Sequence, residues 1–238
     1  MGDWAASEFA FFPGHLRMPE LRNTNLDGQE EWLGTKRCNP GGRVALTIES
    51  CHLGKVVVLV PDVFRDERGY FMEVFRADRL GELGLPTNFA QQNHSYSKKG
   101  VLRGLHFQWE PPMGKLMRVT RGSAFLVAVD ICPGSPSAGK WIGIEASEEN
   151  RKQVWAPASF ARGFCALSED VEVQYLCTGV YNSKAESSIR WDDPDIGIAW
   201  PITPSLISAK DRQAQTLREW LASADAQHFS YVERAVGA

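Results

Sequence analysis

The chain reads as a mainly all-β protein, a sandwich or barrel with a few short helices. Three observations predict this. From Lys55 onward, short apolar or alternating runs follow one another, among them VVVLVP, GYFMEVF, VLRGLHFQ, KLMRV, SAFLVAVDI, KWIGIEA and VEVQYLCT. Gly, Pro, Asn and Asp separate these runs as turn signals, the pattern of many short strands rather than of strands alternating with helices. Helical spacing is confined to a short stretch near ADRLGELG and to one span from about Ala209 to Ala224, where Leu217, Trp220 and Leu221 recur at i, i+3 and i+4.

Taken in order, residues 1–52 predict a poorly structured or loosely docked extension. The stretch NTNLDGQEEWLGTKRCNPGGR is rich in turn formers and shows no sustained period, although FAFFPG at Phe9 to Gly14 could dock on a surface. Residues 53–205 carry the strand runs and form the barrel. Residues 206–238 form a C-terminal segment with the longer helix.

Composition narrows the function. With 26 Lys plus Arg against 29 Asp plus Glu, the chain lacks the basic excess of a nucleic-acid binder. Its longest wholly aliphatic run, VVVLV, is far too short to cross a bilayer as a helix. The start MGDWAASEF puts an acid where a secretory signal has its basic region, and Ala6 breaks the myristoylation pattern, so a cytoplasmic protein is expected. Cys38, Cys51, Cys132, Cys165 and Cys177 are odd in number and form no CxxC pair, as expected of reduced thiols.

The run VLRGLHFQ places one histidine inside a strand. A regular pleat would set Leu102, Gly104, His106 and Gln108 on one face, toward a cavity or solvent, and Val101, Arg103, Leu105 and Phe107 on the other. Gly104 marks a bulge or a close approach, and a bulge would let Arg103 and His106 reach the same cavity. From the strand alone, a structural histidine is the more ordinary reading of His106, and context must overturn it. Cupin barrels bind metal through a glycine followed, after five residues, by His-X-His. Here Gly100 and His106 fit, but Gln108 stands at the second ligand and the later ligand block reads PASFAR. An amide is a poor ligand and a guanidinium is none, so no metal is expected.

The blocks DERGYFMEVF, FAQQNHSYSKKGVLRGLHFQ, GKLMRVTRGSAFLVAVDI, SPSAGKWIG, ENRKQVWAP, YLCTGVY, IRWDDPDIGIAWP and ISAKD stand in an order that resembles the dTDP-4-dehydrorhamnose 3,5-epimerase family. The resemblance implies a cupin-type double-stranded β-helix, or jelly-roll barrel, working as a homodimer without metal or organic cofactor on a dTDP-sugar-like substrate. By resemblance, His106 is the general base, Asp211 its partner, Lys115 the group facing the C4 ketone and Tyr175 the proton donor, with Tyr181 lining the same site. Arg68 and Arg103 resemble diphosphate contacts. Phe64, Phe71, Glu73, Gln91 and Asn93 fall where the family contacts nucleotide and sugar, partly across the dimer interface. Tyr96, Lys98 and Lys99 read as solvated.

The implied reaction suits these groups. A 4-keto sugar has acidified C–H bonds at C3 and C5, and epimerisation removes such a proton and returns it on the opposite face. Histidine, with an ordinary pKa of about 6.5, is neutral at working pH yet able to hold the proton. A lysine can stabilise the enolate oxygen, and a phenol can deliver the proton from the other side.

One block departs from the family. Where its members read like PEGFAHGF, this chain reads PASFARGF, with Ser159 for glycine and Arg162 for histidine. Arginine cannot shuttle a proton, but it adds a fixed charge near the enolate oxygen and depresses a neighbouring Lys115. Serine tolerates positive φ less well than glycine, which predicts a shifted turn at Ser159. Three outcomes follow: 3,5-epimerisation with an altered oxyanion site, epimerisation of a single carbon or of a related 4-keto sugar nucleotide, or sugar-nucleotide binding with weak or no turnover. A metal-dependent cupin oxygenase is a further, distinct alternative.

Overall fold

The structure, a computed structural model, describes residues 46–231. The FAFFPG segment, Cys38 and the last residues of the C-terminal segment lie outside the described residues. In chain order the strands are β1 (Leu46–His52), β2 (Val56–Pro61), β3 (Val63–Asp66), β4 (Gly69–Met72), β5 (Gln91–Lys98), β6 (Val101–Gln108), β7 (Lys115–Arg121), β8 (Ser123–Asp130), β9 (Trp141–Ser147), β10 (Gln153–Ala156), β11 (Phe160–Ala166), β12 (Asp170–Cys177), β13 (Glu186–Ser188) and β14 (Leu206–Ile207). Helices α1 (Ala77–Glu82), α2 (Ala209–Arg212) and α3 (Leu217–Ala222) and a 3-10 turn at Asp225–His228 complete the order.

Two sheets face each other, with strand orders β1-β2-β10-β7-β12-β5 and β13-β6-β11-β8-β9, and β3–β4 forms a separate hairpin. The strand runs predicted a sandwich or barrel, and the jelly-roll form is the one the family resemblance implied. Between the sheets, Met117, Val119, Leu126, Phe164, Val171 and Val173 form a core. The period of two then decides the site: Lys115 shares the inner face with Met117 and Val119, Tyr175 and Cys177 with Val171 and Val173, and Arg162 with Phe160 and Phe164. One end of the barrel interior is therefore apolar and the other carries the polar groups.

The outer faces are covered too. Leu80 of α1 packs with Leu46, Val57, Leu59, Leu116 and Trp155 on the first sheet. On the second, Trp220 and Phe229 of the C-terminal segment pack over Leu105, Phe107, Val129 and Ile189.

Two expectations need correction. The extension does not reach residue 52: Leu46–His52 is a strand, paired antiparallel with β2. Its alternation was hidden by the turn-rich stretch before it. The single helix expected over Ala209–Ala224 is two helices, broken at Gln213–Thr216. Gln215 bridges to Ile189 and accepts the Arg190 N–H at 2.9 Å, while Thr216 and Glu219 form a capping box that starts a new helix. Ser159 avoids positive φ, in keeping with a serine at a glycine position; among the described residues only Leu53 and Arg151 adopt it apart from glycines.

Candidate active site

The site is built on β6. Gly104 has φ +135°, and a Cβ there would lie 2.5 Å from the Gly163 Cα of β11, so only glycine fits this crossing. At that point three steps of β6, His106 to Arg103, pair with two of β11, Arg162 to Phe164. The extra residue is a bulge. It breaks the regular pleat: Leu105 and Phe107 go to the outer core, while Arg103 and His106 both line one cavity of about 420 Å³. Gln108, read as facing cavity or solvent, is instead buried. Its amide holds the Pro111 and Val180 carbonyls and the Asn182 N–H, bracing the loops around the site.

Asp211 arrives from 105 residues away. Strand β14 runs parallel to β6, pairing Leu206 with Val101 and Ile207 with Leu102, and Ser208 caps α2 by accepting the Asp211 N–H at 3.1 Å. The Asp211 carboxylate then meets the His106 Nε2 at 2.7 Å and accepts the Gly104 N–H at 3.3 Å. Burial alone would raise this carboxyl, but His106, Gly104 and Ser208 hold it below the usual carboxylate range. It is therefore an acceptor, which puts a proton on Nε2 and leaves Nδ1 as the nitrogen that can act as base.

Lys115 and Tyr175 line the same cavity, with the Lys115 ammonium 5.2 Å from the centre of the Tyr175 ring. Burial first, and the nearby Arg162 second, push Lys115 down to about 8. Burial raises the Tyr175 phenol, opposed by a hydrogen bond from Asn93, its cross-strand partner. Arg162 is buried and depressed to about 10 by desolvation. It lines the cavity, but its Nη groups turn to the carbonyls of Met113, Ala156 and Pro157.

The remaining expected residues lie elsewhere. Gln91 donates to Asn93 and accepts the Tyr181 N–H, and the Tyr181 hydroxyl donates to Glu186 at 3.1 Å; none of these lines the cavity. Phe64 and Phe71 are exposed on the β3–β4 hairpin, and Arg68 at its tip pairs with Asp66. Glu73 pairs with Arg76 at 3.4 Å. Within one chain, then, the hairpin residues do not join His106. Tyr96 and Lys98 both pair with Asp170 on the surface, as solvated groups do. Sequence reasoning missed Lys210, Ser95 and Ser208, all of which line the cavity. Lys210 stood next to Asp211 in the same ISAKD block, which was the available signal. Among the described residues, no group of three His, Cys, Asp or Glu side chains could ligate a metal ion.

A cupin-type jelly roll whose polar end gathers a histidine–carboxylate pair, an ammonium and a phenol defines a class of acid–base barrels. Comparison with known proteins narrows the class: the family model for dTDP-4-dehydrorhamnose 3,5-epimerase matches residues 50–219, and the chain belongs to that family. A dTDP-4-dehydrorhamnose 3,5-epimerase of Methanothermobacter thermautotrophicus is 49% identical over 170 residues, covering 70% of this chain and 92% of that protein. The solved structure of dTDP-6-deoxy-D-glucose-3,5-epimerase from Legionella pneumophila Philadelphia 1, in complex with dTDP-4-keto-L-rhamnose, superposes with a TM-score of 0.74 at 40% identity, covering 80% of this chain and all of that one. A dTDP-4-dehydrorhamnose 3-epimerase of Streptomyces niveus is 36% identical over 163 residues, covering 68% of this chain and 79% of that protein.

Proposed function

We propose that this protein is an isomerase that epimerises a 4-keto-6-deoxy sugar nucleotide, of the dTDP-4-dehydro-6-deoxyglucose type, at C3 and C5. The observation that carries the reading is the 2.7 Å His106–Asp211 pair opening on the cavity that also holds Lys115 and Tyr175. His106 takes the proton from the carbon next to the ketone, and Asp211 stabilises the imidazolium that forms. The electron pair moves into the ketone, and the Lys115 ammonium faces the enolate oxygen. Tyr175 gives its proton to the opposite face of the same carbon. Solvent then removes the proton from His106 and restores the one on Tyr175, so the net change is inversion with no redox step. Arg103 and Lys210 supply positive charge to the same cavity, suited to the diphosphate.

The active unit is a homodimer in this reading, working in the cytoplasm. The exposed Phe64 and Phe71, at 48% and 62% exposure, and the adjacent Arg68 support a hairpin that completes the nucleotide site of the partner chain. The replacement of the family's histidine by Arg162 motivates a second reading, inversion at one carbon only.

One experiment separates these readings. The protein is incubated in D2O with dTDP-4-keto-6-deoxyglucose and the deuterium is located by NMR. Label at C3 and C5 supports the first, and label at one carbon supports the second. Binding without label means a catalytically silent protein and refutes both. His106→Ala should slow exchange about 10²-fold or more, the scale of a lost general base.

A further inference from the structure

We propose that Arg162 is a positioning residue that locks Lys115 against the ketone oxygen of the substrate, by tying the start of its strand to the turn beside it. The inference rests on the epimerase reading above and assigns Arg162 a role other than substrate contact. The geometry is a grip from the opposite sheet. Arg162 projects from β11 across the barrel interior, and its Nη2 donates to the Met113 carbonyl at 2.7 Å, two residues before Lys115. Its Nη1 donates to the Pro157 carbonyl at 2.6 Å and, more weakly, to that of Ala156 at 3.5 Å. Ala156 is the cross-strand partner of Lys115. One guanidinium thus holds the chain just before Lys115 and the strand end directly beside it.

The chemistry of the donor explains why arginine suits this grip. All three acceptors are carbonyls on two separate segments, and the planar guanidinium presents donors in a rigid fork. A neutral imidazole has one N–H and could hold one of them. Arg162 is 3% exposed, so the bonds form out of competition with water.

The charge acts in the same direction. Around Lys115 stand Arg162 from β11, Cys177 and the Tyr175 ring from β12, Glu186 from β13 and Lys210 from α2. Arg162 and Lys210 oppose the ammonium, while Glu186 and Cys177 favour it. A cation fixed behind Lys115 loosens its proton, which strengthens its hydrogen bond to a developing enolate.

The test uses the intact protein and two variants, Arg162→Gln and Arg162→His, with Lys115→Arg to assign the signal. Lysines are labelled by reductive ¹³C-methylation and the Lys115 resonance is titrated with pH, without substrate. The wild-type midpoint is expected near 8. It should rise by about half a unit or more in Arg162→Gln. In turnover, kcat of both variants should fall about 10²-fold, as for a misplaced catalytic group, with KM within about threefold. An unmoved Lys115 midpoint with unchanged kcat overturns the proposal. So does a loss confined to KM, which would make Arg162 a substrate contact. Should Arg162→Gln fail to fold, Arg162→His and the wild-type titration still decide: a wild-type midpoint in the ordinary lysine range, above about 10, refutes the coupling. Because the titration needs no sugar, a wild type without turnover would sink the epimerase reading while leaving the effect of Arg162 on Lys115 measurable.

Discussion

Replacing Asp211 by Asn changes one atom in a buried pair and should nearly abolish epimerisation. The amide keeps the size of the carboxylate and can still accept the Gly104 N–H. Toward His106, however, an NH₂ group now faces Nε2, so that nitrogen becomes the acceptor and the proton moves to Nδ1, where the base must act. The imidazolium also loses its counter-charge. With the Nε2···Oδ1 contact at 2.7 Å, the charge centres of ring and carboxylate sit about 4 Å apart. At an effective dielectric near 20 this is worth about 4 kcal/mol, and each 1.36 kcal/mol is a factor of ten, so the expected loss is about 10³-fold in kcat. The assay is position-resolved deuterium uptake from D2O, run beside a binding measurement with the product nucleotide sugar. Affinity should change less than about threefold, because neither the cavity nor its charge at the diphosphate end is altered. Exchange within tenfold of the wild type would refute the assignment of His106 and Asp211 as a working pair.

Lys115→Met should cost about 10²- to 10³-fold in kcat, the scale of one lost oxyanion donor. Because Lys115 must be protonated and is held at about 8, activity should decline as pH rises through that value, which the alkaline limb of a kcat–pH profile reads directly. The same depression means that the unfolded chain binds more protons between pH 8 and the ordinary lysine value, so this group makes stability rise with pH across that window, checked by urea unfolding at several pH values. Tyr175→Phe removes only the second proton donor: deuterium should still enter the substrate while inverted product falls at least about tenfold. Gly104→Ala would force a Cβ to within 2.5 Å of Gly163 at φ +135° and should either prevent folding or misplace His106, seen by circular dichroism and exchange. Trp220→Ala should destabilise by about 3–5 kcal/mol in denaturant unfolding, since the ring is buried against Phe107 at 4.5 Å and its N–H donates to the Ile131 carbonyl.

The parts legible in the sequence were those set by local pattern. Alternation with a period of two predicted the strands. Gly104 inside VLRGLHFQ announced a bulge or a close approach, because only a glycine tolerates both a positive φ and a backbone 2.5 Å from where a Cβ would stand. The ordered blocks carried the family. The capping box at Thr216–Glu219 was also written there and went unread, and its consequence was one helix expected where two exist.

Tertiary structure alone decided the distances. Whether His106 meets Asp211 depends on β14 running parallel to β6, a pairing that no pattern within either segment encodes. The same holds for Arg162: a guanidinium in a strand run looks like a charge for a ligand, and only the packing of β11 opposite the start of β7 gives it three carbonyls to hold. Strand identity follows from neighbours along the chain, whereas a site follows from neighbours across it, and those are chosen by how the two sheets close around their shared core.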